Sequence, residues 1–489
     1  MNKLGNLLCS LPIIVSSYLA AGQGKAADFD SRFQEIVHNA SNEQLYRFLY
    51  ALPKGGDLHN HQDGANWPDW WYQVAIDPAK THGDVFYTLT KITAPNRGGG
   101  APLFYTTIPK WQYDHLPDAE KAEYEALSSL DPATKANWLA SLWLGQPGDG
   151  REKFFEQIWP RLGGLVRNPY VSSELLVESM KHFGEEGVRY VETQNLVFGL
   201  GSFFEYKDQD GNTLSLDQVA DIYRHRLQQP DAIATGVTVR FQAVVIRFVP
   251  TAEEGVEDAY AFVNRHRDLW VGINMAGRED NEKGFPARFL SVYRKMEGKY
   301  PPVSLSIHAG ESDEPNHHIR DTLYLGAKRI GHGVNLLSDP DTMLHMREDK
   351  DFIEINLISN HLLGYVPNYA DHPFPRYLRF GIPVCLNTDD RGMWGSNMTD
   401  EYFVAVKNFN LSWDEVVQLG RNSLEYSFVQ ADQKQRLLDA YNQAVKEFEQ
   451  KYTGDWRALV AAVDATGSPY AEREFGIKLP LTKVGSASK

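Results

Sequence analysis

The chain has 489 residues, of which 42% are hydrophobic and 23% are charged, as in an ordinary globular protein with a large core. Lys and Arg number 49 against 64 Asp and Glu, so the formal net charge is −15. Because an acidic surface repels phosphate backbones, this charge argues against a nucleic-acid polymer as partner and is compatible with a small neutral substrate.

The first 26 residues have the pattern of a secretory signal peptide. Lys3 gives a positive start, and residues 7–18 form an apolar run that is short for a bilayer span. Small residues follow at positions 20–22 and again at positions 24 and 26, and cleavage is expected at one of these two places. A membrane anchor or a buried first helix is the alternative. The signal predicts a secreted or periplasmic protein that is free of the membrane after cleavage.

The chain contains two cysteines, Cys9 and Cys385. Cleavage of the signal would remove Cys9, so no intrachain disulfide is expected in the mature protein. Cys385 lies within the apolar run 382–386. We therefore expect it to pack in the core rather than to act as a nucleophile.

Eight short apolar runs, each ending in polar residues, recur between residues 54 and 390. Most are separated by segments with the spacing of amphipathic helices, such as 173–186, 256–266, 287–296 and 317–326. Strands that alternate with helices form a parallel sheet, and eight of them close into a barrel. The prediction is an α/β fold, a (β/α)8 TIM-type barrel. Its strands are expected at residues 54–61, 188–195, 237–248, 270–276, 303–308, 329–333, 352–357 and 382–388.

Two regions extend this pattern. Residues 67–168 form a long insertion after the first strand, expected to be helical, with seven of the eleven tryptophans. A cover over the barrel mouth, a subunit interface and a plain appendage all remain open for it. Beyond residue 390, helical spacing predicts extra C-terminal helices, clearest at 411–424 and 433–452. A single domain is thus expected over 27–480, with a polar tail at 481–489.

Histidines and carboxylates follow four of the predicted strands. His59 and His61 stand at positions i and i+2 of the first strand, so both imidazoles can face the barrel interior. A third imidazole, His308, ends the fifth strand. Gly310 allows a tight turn that would bring Glu311 over the same opening. Each feature alone has an ordinary structural explanation.

The sixth and eighth strands add to this pattern. His332 ends the sixth strand, and the adjacent pair Asp389 and Asp390 ends the eighth. Two neighbouring carboxylates are costly to bury unless a cation stabilises at least one of them. Since the active sites of these barrels lie at the C-terminal ends of the strands, four such ends predict a metal centre.

At these positions the sequence resembles the adenosine deaminase family of metal-dependent hydrolases. The stretches that carry the resemblance are residues 52–64, 306–311, 329–333 and 386–390, with 272–277 similar to the end of the family's fourth strand. The signal segment and the long insertion are most similar to the secreted, growth-factor-like branch. Residues 358–364, 371–373 and 393–395 also resemble that branch.

The resemblance implies one zinc ion per chain and a small purine nucleoside as partner. The implied metal ligands are His59, His61, His308 and Asp389. The implied catalytic residues are Glu311 at N1 of the purine, with His332 and Asp389 at the attacking water. The implied substrate contacts are Asp63 at the ribose, His61, the backbone N–H of Gly277 at N3 and Asp390 at N7.

Hydrolytic deamination needs hydroxide near neutral pH and an electrophilic ring carbon. Zinc lowers the pKa of bound water from about 15.7 to about 7, and the resulting hydroxide attacks C6. Glu311 must be protonated to donate to N1, which requires a raised pKa in a dry pocket. The cysteine-ligated zinc deaminases are excluded because they need at least two thiolates. The expected reaction converts adenosine, and 2′-deoxyadenosine, to the inosine product and ammonia.

Two departures from the family pattern and three alternatives accompany this interpretation. Arg391 stands where proline is common and is expected to alter purine-edge binding or the shape of the loop, and Asn274 stands where aspartate is common.

The alternatives are another adenine compound (adenine, a nucleotide or a modified adenosine), a different amidohydrolase reaction, and a secreted ligand-binding protein on the same barrel. Asp63 favours a nucleoside, because relatives that act on adenine tend to carry glutamate there. A homodimer remains open.

Overall fold

A computed structural model describes residues 19–93, 102–146, 148–196, 206–208, 211–279 and 283–481, with the backbone alone for 19–28. Cys9, most of the predicted signal peptide and nearly all of the polar tail therefore lie outside the described residues. Two helices, α1 (Leu19–Asn39) and α2 (Asn42–Tyr50), come before the first strand. Across the described ranges, no helix combines the length and the apolar character needed to cross a membrane.

Eleven strands are found in the described residues, and eight of them form one parallel sheet. The strands are β1 (Gly55–His61), β2 (Phe86–Leu89), β3 (Thr107–Pro109), β4 (Tyr124–Ala126), β5 (Val188–Asn195), β6 (Thr238–Ile246), β7 (Trp270–Ala276), β8 (Ser304–Ala309), β9 (Arg329–His332), β10 (Phe352–Ile355) and β11 (Val384–Leu386). The parallel sheet has the order β1-β5-β6-β7-β8-β9-β10-β11. All eight predicted barrel strands are confirmed.

The sheet closes on itself between β1 and the segment that follows β11. A parallel bridge joins Asn60 to Asp389. The backbone N–H of Asp389 donates to the carbonyl of His59 over 3.0 Å, and the N–H of His61 donates to the carbonyl of Asp389 over 3.3 Å. The predicted (β/α)8 barrel is therefore confirmed, and its closing seam lies among the residues of the site described below.

Helices return the chain between successive barrel strands. They are α9 (Pro169–Glu185), α10 (Leu216–Leu227), α11 (Pro230–Ala234), α12 (Ala252–Arg265), α13 (Leu290–Glu297), α14 (His318–Tyr324), α15 (Pro340–Asp349), α16 (Leu357–Leu362) and α17 (Phe374–Phe380). Helix α9 begins where the Asn168 side chain accepts from the backbone N–H groups of Tyr170 and Val171, with Pro169 in the first turn. The four helices predicted between the strands are present as α9, α12, α13 and α14, with ends displaced by up to four residues.

The insertion after β1 contains both helices and strands. Its helices are α3 (Pro68–Ala75), α4 (Lys110–Asp114), α5 (Asp118–Lys121), α6 (Pro132–Ser141), α7 (Arg151–Lys153) and α8 (Trp159–Val166), and a π-helical turn, Phe154–Ile158, joins the last two. The unpredicted part is a small antiparallel sheet of order β3-β2-β4. Its strands of three or four residues are too short to produce a clear alternation in the sequence.

The chain after β11 is helical, as predicted. It forms α18 (Arg391–Trp394), α19 (Met398–Phe409), α20 (Trp413–Glu425), α21 (Ala431–Lys451), α22 (Trp456–Ala461) and α23 (Pro469–Phe475). Helix α20 packs against β1 and β11, and Phe448 of α21 stacks on Trp413 at 5.7 Å. Cys385 is fully buried in β11, which confirms the packing role expected for it.

Candidate active site

Three imidazoles and one carboxylate converge at the C-terminal mouth of the barrel. One ligand atom from each of His59, His61, His308 and Asp389 lies within 4.8 Å of those of the others. Nε2 of His61 is 3.4 Å from Oδ1 of Asp389, and Nε2 of His59 is 3.7 Å from it. The i, i+2 spacing on β1 and the closing seam of the sheet together produce this cluster.

The outer nitrogens of two imidazoles are held by neighbouring groups. Nδ1 of His59 is 2.7 Å from Oε2 of Glu354, and Nδ1 of His308 is 3.1 Å from both Oδ1 of Asn274 and the carbonyl of Met275. These contacts direct Nε2 of each ring toward Asp389. Such outer contacts fix the ring orientation of histidines that bind metals.

Among the residues that the structure describes, Nε2 of His59 and Oδ1 of Asp389 in the cluster find no hydrogen-bond partner although both atoms are buried. An unsatisfied buried polar atom is costly, and a cation between them would satisfy both. Three imidazole nitrogens and one carboxylate oxygen are a donor set that zinc accepts. The residues therefore fit the metal that the sequence predicts.

Burial sets the protonation of these groups. It lowers the pKa of His61 to about 3, and that of His308 well below its usual value, so both rings are neutral at neutral pH. Neutral imidazole is the form that binds a metal. Burial also raises the pKa of the Asp389 carboxyl, and a positive charge on His59 acts in the opposite direction and lowers it. A positive ion would reverse that effect and favour the carboxylate.

Glu311 lies beside this cluster in the loop after β8. Gly310 has a φ of +82°, which permits the tight turn that the sequence predicts at this position. Burial raises the pKa of the Glu311 carboxyl well above its usual value, and the negative charges of Asp389 and Glu279 raise it further. The raised pKa favours the protonated form of Glu311, which is the form that can donate a hydrogen bond.

His332, at the end of β9, is the fourth imidazole of the site. Its Nδ1 lies 3.7 Å from Oε1 of Glu311 and 2.9 and 3.2 Å from the side-chain amides of Asn360 and Asn356. Burial lowers the pKa of His332 well below its usual value, so the ring is neutral. The two amides fix the His332 ring beside Glu311 and the cluster of three imidazoles and Asp389.

The remaining predicted site residues line the same cavity, whose volume is about 640 Å³. Oδ1 of Asp63 accepts from the Ser172 hydroxyl over 2.9 Å, and burial raises the pKa of Asp63 to about 7. Burial and the charges of Asp389 and Glu311 raise the pKa of Asp390 well above its usual value. Gly277 directly follows β7, has a φ of +107° and also faces the cavity.

One wall of the cavity comes from the insertion, which the sequence did not assign to the site. Phe154, Phe155 and Trp159 line it, and the Trp159 ring lies 6.1 Å from the His61 ring. Ion pairs tie this segment to the barrel loops, among them one between Arg151 and Asp313 at 2.7 Å. The cluster of tryptophans was the only sequence signal for this wall, and it does not reveal which of them reaches the site.

The two departures from the family pattern have separate outcomes. The Arg391 side chain points away from the cavity: it bonds Glu186 at 3.2 Å and Ser179 Oγ at 2.9 Å and stacks on Phe183 at 3.6 Å. Arg391 does not line the cavity, so of the two effects expected for it these contacts support the one on the loop rather than the one on the purine edge. Asn274 takes the orienting contact to His308 through its amide oxygen.

Comparison with known proteins identifies relatives. The family model described as adenosine deaminase matches residues 163–444. Adenosine deaminase of Aedes albopictus is 25% identical over 436 residues, covering 84% of this chain and 76% of that protein.

Among solved structures, an adenine deaminase from Arthrobacter aurescens is 20% identical, with a TM-score of 0.57 over 81% of this chain and 99% of that one. Arabidopsis ADAL complexed with IMP is 18% identical, with a TM-score of 0.59 over 82% and 99%. At these identities the two structures support the barrel fold alone.

Proposed function

Since this chain belongs to the adenosine deaminase family and is a hydrolytic deaminase, we propose that it binds one zinc ion and deaminates adenosine and 2′-deoxyadenosine. The observation that carries the proposal is the buried Glu311 carboxyl, whose pKa is raised, facing the same cavity as His61, His308 and Asp389 of the cluster. A non-catalytic binding protein has no use for a buried acid at that place.

Zinc would be held by the four side chains of that cluster. When bound there, it supplies a water whose pKa is lowered to about 7, and so a nucleophile at neutral pH. Glu354 and Asn274 hold the outer nitrogens of His59 and His308, so the ligand rings are oriented before any metal arrives.

The chain's own groups then act on the purine ring. Glu311 donates its proton to N1, which makes C6 electrophilic. The His332 ring and the second oxygen of Asp389 would orient the attacking water, with the carboxylate accepting a hydrogen bond from it. Asp390 is buried with a raised pKa and donates to N7, while the backbone N–H of Gly277 donates to N3. The three ring nitrogens that accept hydrogen bonds in a purine nucleoside, N1, N3 and N7, are thus each matched by a donor.

The ribose end of the cavity supports a nucleoside. Asp63 lies buried at the cavity wall, where its carboxyl is suited to sugar hydroxyls, and it accepts a hydrogen bond from the Ser172 hydroxyl behind it. An adenine nucleotide is the second candidate, because Arg167 of the insertion also lines the cavity and offers a positive charge to a phosphate. Most other lining residues contributed by the insertion are apolar, among them Phe154 and Trp159, which favours an uncharged ligand.

The test compares rates on adenosine, 2′-deoxyadenosine, adenine and AMP, followed by the fall in ultraviolet absorbance on deamination. We expect kcat/KM to be highest for adenosine. Glu311→Gln should abolish turnover and retain the bound zinc, while Glu314→Gln, an exposed change in the same loop, should leave both unchanged. Protein that binds zinc and leaves all four compounds intact would overturn the proposal, and preference for AMP would favour the nucleotide.

We also propose that the chain is exported and that residues 27–480 form one catalytic domain. The pattern of the first 26 residues supports export, and the continuous barrel with its insertion and C-terminal helices supports one domain. N-terminal sequencing of protein recovered outside the cytoplasm should find cleavage near residue 21 or 26. Recovery of uncleaved chain from the cytoplasm alone would contradict export.

A further inference from the structure

A buried carboxylate joins two loops at the active-site mouth. Glu279 lies two residues beyond Gly277, in the loop after β7, and its side chain is 0% exposed. Its Oε2 accepts from the backbone N–H of Gly310 over 2.9 Å, and its Oε1 accepts from the N–H of Glu311 over 3.0 Å. Both carboxylate oxygens thus bind the turn that carries the proposed acid.

A hydrogen bond from His318 and the nearby positive charge of Arg247 stabilise this carboxylate. Nδ1 of His318, at the start of α14, is 2.9 Å from Oε2 of Glu279. An ionised carboxylate only accepts, so His318 is the donor. Arg247, fully buried, is anchored to the carbonyls of Met275 and His308. Burial would raise the pKa of Glu279, but His318 and Arg247 outweigh it and the pKa is lowered.

The position of the Glu311 side chain depends on this turn. Within the described part of the chain no hydrogen bond to the Glu311 carboxyl is found, and His332 Nδ1 lies 3.7 Å from its Oε1. Its placement is therefore set by the backbone at Gly310 and Glu311. Displacing a reacting group by about 1 Å can cost roughly a hundredfold in rate.

We propose that Glu279 is a positioning residue for the deamination: its carboxylate fixes the turn that presents Glu311 to the purine ring. This inference rests on the proposed function of the site. Glu279 does not touch the substrate, and it acts by holding the backbone N–H groups of Gly310 and Glu311. The requirement is for two acceptor oxygens, because the two donors are adjacent and each binds one oxygen.

The direct test is Glu279→Gln. Glutamine keeps the size but presents an amide donor to one of the two N–H groups, so the clamp loses at least one bond. We expect kcat on adenosine to fall about 10- to 100-fold, KM to change by less than about threefold and bound zinc to remain. His318→Ala, which leaves the carboxylate in place, should reduce kcat by a smaller factor in the same manner.

The matched control is Asp351→Asn, a buried carboxylate at the opposite end of the barrel, just before β10. Changes at that end affect stability rather than chemistry, so kcat should stay at the wild-type value. A fall in kcat for this variant equal to that of Glu279→Gln would show that any loss of a buried carboxylate has the same effect, and would overturn the inference.

Hydrogen exchange tests the clamp without activity. In Glu279→Gln, the amides of Gly310 and Glu311 should exchange faster than in the wild type, with the neighbouring strand β8 unchanged. Unchanged exchange at these two amides, or wild-type kcat in Glu279→Gln, would overturn the inference while leaving the proposed function standing. A wild type inactive on every purine would instead overturn the proposed function, and the exchange result would still decide the clamp.

Discussion

Replacing Glu354 by glutamine should weaken both metal binding and the barrel core. The fully buried carboxylate contacts Nδ1 of His59 at 2.7 Å, Oγ of Ser306 at 2.8 Å and Nε of Arg329 at 2.5 Å. Glutamine keeps the shape but removes the charge. Arg329 retains Glu192 at 2.6 Å, so the guanidinium is not left unpaired. We therefore expect a loss of about 2–3 kcal/mol, below the usual cost of stranding a buried charge.

The effect on zinc follows from the ring of His59. Glu354 lowers the freedom of the imidazole and raises its basicity, and its burial outside the cluster keeps it from touching the metal itself. Loss of such an outer contact costs about 10- to 100-fold in metal affinity. This corresponds to about 1.4–2.7 kcal/mol of binding free energy.

Glu192→Gln separates the two effects. Glu192 pairs with the same Arg329 and is equally buried, but it does not contact His59. Urea unfolding followed by tryptophan fluorescence should show a similar loss of stability in both variants. Zinc competition against a chelator should show weaker binding in Glu354→Gln alone. Equal zinc affinities for Glu354→Gln and the wild type would show that the contact between Glu354 and His59 does not strengthen metal binding.

Two further variants test the site and its surroundings. Gly64→Ala should abolish most activity without loss of zinc, because a Cβ there would stand 1.5 Å from Oδ1 of Asp390; wild-type kcat/KM would contradict this. Burial raises the pKa of Asp400 to about 8, so between about pH 4 and 8 the folded state holds a proton that the unfolded state has lost, and stability falls as pH rises. Asp400→Asn cannot titrate, so it lacks this pH-dependent loss of stability. The Tm of the variant minus that of the wild type should therefore increase from pH 5 to pH 8, and a constant difference would contradict the raised pKa of Asp400.

The barrel was predictable because its signals are local. Strands such as β5 and β7 match the predicted bounds, since a buried parallel strand is a continuous apolar run between turns. The placement of His59 and His61 followed from alternation along β1 and from the rule that these sites lie at strand ends. The order of motifs along the chain then sufficed to assemble the cluster.

The supporting contacts were not predictable because they join residues far apart in sequence. Glu354 is 295 positions from His59, and Glu279 is 32 positions from Glu311. Glu279 lies in no pattern that distinguishes it from a surface carboxylate, and the predicted strand 352–357 does not reveal which residue Glu354 contacts. Arg391 shows the converse, because it is next to Asp390 in the sequence but its side chain points away from the cavity. It contacts Ser179 and Phe183 of α9 and pairs with Glu186. Only the three-dimensional packing of α9 decides that direction.

The central claim is that one zinc ion at the His59, His61, His308 and Asp389 cluster makes this protein a deaminase of adenosine. The most direct measurement is a titration of metal-stripped protein with zinc while inosine formation from adenosine is followed. We expect no activity without metal, and a rate of inosine formation that rises linearly and levels off at one zinc per chain. Full activity in the stripped protein, or no activity on adenosine after one equivalent of zinc has bound, would contradict it.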